Sequence, residues 1–345
     1  MKKLLFTILI LVCGLLSHAQ QRELTVPEAS QFASVTQRIG LTDITINYHC
    51  PLMKGRTIWG DLVPYDQVWR AGANENTVIT FSTDVKVEGY PLAAGSYGLH
   101  MIPGERQWII IFSKNNAAWG SFFYNDKEDA LRVSVKPKTV EMQEWLSYTF
   151  FSPQPQSVMA MMTWEKLAVP FSITVDVPEI VVQHMRKELT NINGFFWQGY
   201  NQAANYCIDH KIHLDDASAW IEKSIGIQKT FANLNTKAKL AALKGRTAEA
   251  DSIKKEAMVI ANEEQLNTYG YELLGQGKVK DAVEVFRMIV KRNPASWNAY
   301  DSYAESLEKS GNNKEAIVNY KAALAKAPEG QKKRIQTTIT KLEKN

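Results

Sequence analysis

Residues 263–296 read EEQLNTYGYELLGQGKVKDAVEVFRMIVKRNPAS, and residues 297–330 read WNAYDSYAESLEKSGNNKEAIVNYKAALAKAPEG. Laid over one another, the two stretches place Gly270, Gly277, Ala282, Phe286 and Pro294 opposite Ala304, Gly311, Ala316, Tyr320 and Pro328, each 34 residues on. Small residues at the eighth and twentieth positions let two helices approach closely. The glycine at position 15 ends the first helix, where a left-handed residue is needed, and the proline at position 32 ends the second. The aromatic at position 24 is expected to fill the space between successive hairpins. The period therefore describes stacked helical hairpins, whose faces serve binding rather than enclosed chemistry.

A period of 34 with this residue grammar is that of tetratricopeptide hairpins. The repeat packing positions are Gly270, Ala282, Phe286, Ala304, Ala316 and Tyr320. Upstream, Gly245, Ala250, Ala257 and Asn262 lie 32 residues before Gly277, Ala282, Ile289 and Pro294. Further up, Cys207 and Ala219 lie 31 before Ala238 and Ala250. These give four hairpins, with clear copies at 263–296 and 297–330 and two degenerate ones before them. Residues 329–345 read as a basic capping helix with Ile335, Ile339 and Leu342 inward. Glu179 to Glu188 reads as a leading helix with Ile180, Val181, His184 and Met185 on one face. Gly270, Gly275, Gly277 and Lys278 mimic a phosphate loop without its spacing, and the register already explains Gly270 and Gly277.

Before residue 178 the period is different. Asp43–Tyr48, Thr77–Phe81 and Leu131–Val135 alternate with period 2, and Gln107–Phe112 is a continuous apolar run. Val158–Trp164 and Phe171–Val175 close the series. Turn signals fall at Glu88-Gly89, Ala94-Gly95, Pro103-Gly104 and Ser152–Pro155. Short strands with regular turns predict an all-β, jelly-roll-like sandwich. The fold class is thus multi-domain: an all-β sandwich over 30–177, then an all-α tetratricopeptide-like solenoid over 178–345.

The first 19 residues read as a secretory signal peptide. Lys2 and Lys3 form a basic start, Leu4 to Leu16 an apolar run of 13, and Ser17-His18-Ala19 a small-residue cleavage site before Gln20. A run of that length is short for a membrane span, which needs ~20 apolar residues. The expected location is periplasmic or extracellular. Hydrophobic content of 45% with 22% charged residues describes a folded chain rather than a disordered one. Removing the two lysines brings the net charge from +4 to +2, and no basic stripe argues for nucleic acid. Cys50 and Cys207 fall in different expected domains, so no structural disulfide is expected.

Residues 51–77 are long for a connection within a sandwich and too rich in Trp, Tyr and Leu for disorder. Arg56, Trp59, Asp61, Trp69, Arg70, Asn74 and Glu75 combine aromatic walls with fixed polar groups, the mixture of a ligand pocket. The competing reading is an Ω-like loop packed over one end of the sandwich. The acids set among aromatics, Asp61, Glu75 and Glu144, have no fixed separation in sequence. The cluster Cys207, Asp209, His210, His213, Asp215 and Asp216 falls near a hairpin turn, where polar residues are usually solvated, so no metal and no cofactor is expected.

The words KGRTIWGDLVPYDQVWRAGANENT, AAGSYGLHMIPG and AAWGSFFYN resemble a family of secreted Gram-negative proteins known as domain of unknown function 2911, over residues ~30–177. The family's regular words fall on Gly55-Arg56, Gly60, Leu62–Pro64, Val68–Arg70 and Gly72–Asn74. His100 stands where a plainer apolar strand is expected. Members of that family commonly carry a signal peptide and some carry a helical repeat tail, and the resemblance brings no established activity to carry over. The reading is a non-catalytic exported scaffold, with a small ligand or glycan at the β domain and a protein partner on the repeats. The alternative is an enzyme with its site at 51–77, where Arg56 and Arg70 hold an anion and Asp61 or Glu75 acts as acid or base. A third is an interdomain latch through Trp59 and Trp69.

Overall fold

The computed structural model describes residues 26–344. The expected signal peptide, residues 1–19, lies outside them. The chain divides into two compact units, one ending at Ile180 and the other starting at Val181.

The first unit is a two-sheet sandwich. Its strands are β1 (Gln31–Ile39), β2 (Thr42–Cys50), β3 (Thr77–Phe81), β4 (Val85–Val87), β5 (Tyr90–Leu92), β6 (Gly95–Ile102), β7 (Trp108–Ser113), β8 (Asp129–Val135), β9 (Lys138–Gln154) and β10 (Ser157–Thr174). One sheet has the order β1-β2-β3-β6-β7-β8 and the other β5-β4-β10-β9, with every pairing antiparallel. Strand alternation fixes the faces. Ile44, Ile46 and Tyr48 of β2 and Ile79 and Phe81 of β3 point inward to meet Met162, Trp164, Phe171 and Ile173 of β10. The two expected segments at 158–164 and 171–175 are one strand. The charged pair Glu165-Lys166 looks like a break, but Glu165 adopts φ 54° within a bulge and the ladder to β9 continues past it. The 17-residue β9 was missed altogether, because as an edge strand it keeps most of its side chains exposed.

Helix α1 (Val177–Glu188) starts in the first unit and runs into the second, which is helical: α2 (Trp197–His210), α3 (Leu214–Ile227), α4 (Phe231–Leu243), α5 (Thr247–Ile260), α6 (Glu263–Gly275), α7 (Val279–Arg292), α8 (Trp297–Lys309), α9 (Asn313–Lys326) and α10 (Glu329–Leu342). They form four successive hairpins from α2 to α9, closed by α10, whose Ile335, Ile339 and Leu342 are buried as expected. Gly277 and Gly311 are left-handed at φ 73° and 83°. Each ends its helix by letting the following residue donate back to Leu273 or Leu307.

Three details of the repeat reading change. The upstream register runs through Ala204 and Ala217, which are fully or almost fully buried, while Ala219 is exposed. The eighth-position residues are therefore Ala204, Ala238, Gly270 and Ala304, and the twentieth-position ones Ala217, Ala250, Ala282 and Ala316. Cys207 is buried one helical turn away and imitates the small residue. The aromatic at position 24 packs back into its own hairpin. Phe286 lies against Gly270 and meets Tyr271 edge-on at 5.2 Å, and the Tyr320 hydroxyl donates to Glu308 at 3.0 Å. In α1 Val182 is the fully buried residue; Ile180, Val181 and Met185 of the expected face are partly buried, and His184 is exposed, reaching toward Glu188.

Candidate functional site

Side chains on the outer face of β2, β3 and β6 follow from the same alternation: Asn47 and His49, Val78 and Thr80, Ser96 and His100. The segment 114–128, between β7 and β8, folds back across this face. Gly98 permits the approach, since a Cβ there would stand 2.3 Å from the Asn115 carbonyl oxygen. Three ties hold the segment down. Asn116 Nδ2 donates to the Ser96 carbonyl at 2.8 Å. His100 Nδ1 meets Ser121 Oγ at 3.1 Å. The Asn76 amide, oriented to satisfy both its ends, donates to the carbonyls of Ala118 and Gly120 at 3.0 and 2.8 Å.

Near the end of the segment, Tyr124 donates to Asp129 Oδ2 at 2.8 Å, and Arg132 donates to the same oxygen through Nε at 2.5 Å. Burial lowers His100 to about 4, with Asp129 opposing, so it sits there neutral. Burial also lifts Tyr124 to about 12, helped by Asp129. This network is a fastening for the segment.

Between the segment and β1–β3 lies a cleft of about 520 Å³. Its wall carries Phe32, Asn47, His49, Glu75, Thr80 and Asn116. His49 is held between two carboxylates: Nε2 is 3.2 Å from Glu28 and Nδ1 is 3.6 Å from Glu75. Phe32 meets the imidazole edge-on at 5.5 Å. Asn74, left-handed at φ 53°, turns the chain so that its amide donates to Glu28 at 2.7 Å. Glu75 forms an isolated bridge with Trp119 on the segment. The Arg70 guanidinium lies 5.7 Å from the Trp119 ring. Burial lowers Arg70 from its ordinary value while Glu75 opposes, and its Nε is buried without a hydrogen-bond partner among the described residues. Trp119 and Phe122 lie nearly parallel, 9° apart with centroids at 5.8 Å. Together with Phe123 they are 56%, 75% and 73% exposed.

The seven residues singled out from 51–77 thus separate. Glu75 lines the cleft, while Asn74 bonds Glu28 and Arg70 lies by Trp119, both next to the wall rather than in it. Trp59 and Trp69 turn into the sandwich, where they pack with Trp108 and Trp164 at centroid distances of 4.9–5.9 Å. Packed there, they do not line the cleft. Arg56 fastens its own turn, donating to the carbonyls of Leu52 and Met53 at 2.6 and 2.8 Å. Asp61 stands exposed outside the cleft. Glu144 accepts from the Lys54 amide at 2.9 Å, a structural tie. The anion clamp of Arg56 with Arg70, and the acid–base role of Asp61, therefore have no shared site. The Gly72–Asn74 word also has a local reason. Thr77 and Tyr148 both donate to the Ala71 carbonyl, at 3.0 and 2.8 Å, and a Cβ at Gly72 would stand 2.5 Å from the Thr77 hydroxyl.

Glu28, His49, Trp119 and Phe122 were missed. Trp119 and Phe122 fall inside AAWGSFFYN, a word recognised without being read as a site. In the helical unit, the turn between α2 and α3 falls within the histidine cluster. His210 stacks on Tyr206, and His213 and Arg186 lie against Asp216.

A second missed feature follows the corrected repeat register. The fifth residue of each first helix is Asn201, Asn235, Asn267 or Asp301. Asn235 lines a groove of about 640 Å³ between α4 and α6, with Phe231, Lys239, Glu264, Thr268 and Tyr269. The Oδ1 atoms of Asn201, Asn267 and Asp301 have no hydrogen-bond partner among the described residues. No described helix is long and apolar enough to cross a membrane.

Residues 30–173 match the family described as a protein of unknown function, DUF2911. Among solved structures, the helical part resembles YrrB, a TPR protein described with an unusual peptide-binding site. The two are 15% identical over 44% of this chain and 79% of that one, with a TM-score of 0.27. It also resembles MamA, at 16% identity over 44% and 88% with a TM-score of 0.29. A third likeness is the C-terminal part of a TPR repeat-containing protein from Cytophaga hutchinsonii, at 14% identity over 44% and 60% with a TM-score of 0.30. No curated protein matches the sequence.

Proposed function

We propose that the chain is an exported, non-catalytic binding protein with two separate sites. The sandwich cleft takes a small ligand, and the helical repeats take an extended polypeptide. The observation that carries the second site is the groove between α4 and α6. First helices of two successive hairpins line it, and it combines an aromatic floor, Phe231 edge-on to Tyr269 at 6.1 Å, with amide, hydroxyl and charged groups above. Such a surface suits a backbone whose polar groups need partners at regular intervals. The same position carries Asn201, Asn267 and Asp301 in the other first helices, where the Oδ1 atoms are buried without a partner among the described residues and Asp301 Oδ2 accepts from Arg334, so the reading rests on the groove at Asn235.

The test is selection of a displayed random-peptide library on the full chain, followed by affinity measurement of the winners. Peptides should bind the wild type and lose about tenfold or more in affinity to the double variant Asn235→Ala, Tyr269→Ala. No enrichment, or unchanged binding to the variant, sinks the polypeptide reading. Export is checked independently: protein recovered from the cell envelope should begin at Gln20, and a species retaining Met1 would contradict it.

A further inference from the structure

We propose that the cleft between β1–β3 and the 114–128 segment binds a neutral saccharide that extends beyond the cleft wall onto Trp119 and Phe122, exposed rings on the same segment; Trp119 is joined to the wall by its bridge to Glu75. This rests on reading the cleft as a ligand site and names its ligand class.

Size comes first. At about 520 Å³ the cleft falls within the ~300–1,000 Å³ range of small-molecule sites. Its chemistry is mixed in the way a sugar requires. Each ring hydroxyl both donates and accepts. The wall offers an amide from Asn47 and Asn116, a hydroxyl from Thr80, an imidazole from His49 and a carboxylate from Glu75. The C–H faces of a sugar ring, by contrast, are apolar and carry slightly positive hydrogens. They suit the negative face of an aromatic ring. Trp119 and Phe122 present two nearly parallel rings at 5.8 Å, more than half exposed. Three large exposed aromatics within five residues are unusual on a soluble surface and mark an interaction site.

The segment bearing these rings is not free to fold them away. The ties from Asn76, Asn116 and His100 hold it to the sheet. Arg70 braces Trp119 from beside the cleft, 5.7 Å from its ring. A fixed platform loses little conformational entropy when a ligand stacks on it.

Charge selects among saccharides. Glu28 and Glu75 flank His49 at the cleft. Arg70 is half-buried beside Trp119, with Glu75 opposing its loss of charge, and does not line the cleft. An acidic polysaccharide or a nucleic acid would bring its anions against two carboxylates. An uncharged sugar meets no such repulsion.

The experiment is native affinity electrophoresis of the full chain through gels containing pullulan, xyloglucan, galactomannan or alginate. Trp119→Ala, Phe122→Ala and Glu75→Gln serve as variants. All three side chains are largely exposed, so the fold should survive, and circular dichroism checks it. At least one neutral polysaccharide should retard the wild type, with affinity falling about tenfold in Trp119→Ala and severalfold in Glu75→Gln. Alginate should not retard it. Retardation by alginate alone, or neutral retardation that survives Trp119→Ala, overturns the proposal.

A parallel arm sediments the chain with vesicles of phosphatidylcholine and phosphatidylglycerol. Trp119-dependent sedimentation without polysaccharide retardation overturns the saccharide assignment and keeps the aromatic segment as a lipid-facing contact. Neither retardation nor sedimentation removes the ligand reading of the cleft together with its saccharide class.

Discussion

Gly270 is where two well-known effects oppose each other. Replacing a glycine inside a helix by alanine favours the helix by about 1 kcal/mol, through the smaller entropy of the unfolded chain. At Gly270 the added methyl would stand 2.5, 2.7 and 2.8 Å from three ring carbons of Phe286. Ordinary carbon contacts lie near ~3.5–4.0 Å, so the ring would have to retreat by about 1 Å. It has little room to do so, being fully buried with Tyr271 edge-on against it. Overpacking of this kind costs about 1–3 kcal/mol. Packing therefore outweighs propensity, and Gly270→Ala should destabilise the helical unit by about 1 kcal/mol, or ~2–4 °C in Tm for a unit of this size. In a Phe286→Leu background the obstruction is gone. There Gly270→Ala should stabilise by up to about 1 kcal/mol, a reversal of sign. Guanidinium unfolding followed by far-ultraviolet circular dichroism reads the helical transition apart from the sandwich. Stabilisation by Gly270→Ala in the wild-type background, or an equal effect in both backgrounds, refutes the packing account of the eighth position.

The remaining predictions concern the fastenings of each unit. Tyr148→Phe removes a fully buried hydroxyl that donates to the Ala71 carbonyl; because Thr77 still donates there, the sandwich should lose only about 1 kcal/mol, read by near-ultraviolet circular dichroism in denaturant. His100, held to about 4 in the folded chain against about 6.5 unfolded, gives stability that is complete above pH ~6.5 and drains as pH falls toward 4. The total is about 3 kcal/mol, and His100→Gln should flatten that acid slope. Asp301 is raised by burial, with its Arg334 ion pair at 2.7 Å opposing. Its sign is the reverse: the helical unit is favoured below the ordinary carboxylate pKa and loses stability as pH rises through the raised value. Arg334→Ala should push that loss to higher pH, and Asp301→Asn should abolish it, both read by thermal melts across an acid pH series.

The helical half was legible because one packing solution is reused. A pair of helices can approach closely only where both carry small residues, so that requirement recurs at fixed positions and survives as a period. Its failure upstream has the same origin. Helix α2 is rich in small residues, and Ala203, Ala204 and Cys207 all satisfy the pattern locally. All three are buried, so burial does not choose among them; the helix start at Trp197 does, making Ala204 the eighth residue as Gly270 is from Glu263, and with it comes the recurrence at Asn201, Asn235, Asn267 and Asp301. The sandwich strands with one buried face were readable by alternation. Strand β9 was not, since an edge exposed along most of its length carries no burial signal.

The stretch 51–77 shows why a site resists the same treatment. It reverses repeatedly, with left-handed residues at Lys54, Gly55, Gly60, Asp66, Ala71 and Asn74. Each reversal resets which side chains face inward. No period links Trp59 and Trp69, which enter the core, to Arg70 and Glu75 a few residues on, which do not. The site's other members come from the start of β1, the end of β2 and the segment after β7. They meet because the sheet brings β1, β2 and β3 side by side, and because Gly98 lets residues 114–128 lie across it. A Cβ at Gly98 should therefore act at a distance from any ligand. Gly98→Ala would drive the Asn115 carbonyl outward from 2.3 Å, carry Trp119 and Phe122 with it, and weaken saccharide retardation while Glu75 and His49 stay in place. Retardation by Gly98→Ala equal to that of the wild type would mean that the platform does not depend on the sheet beneath it.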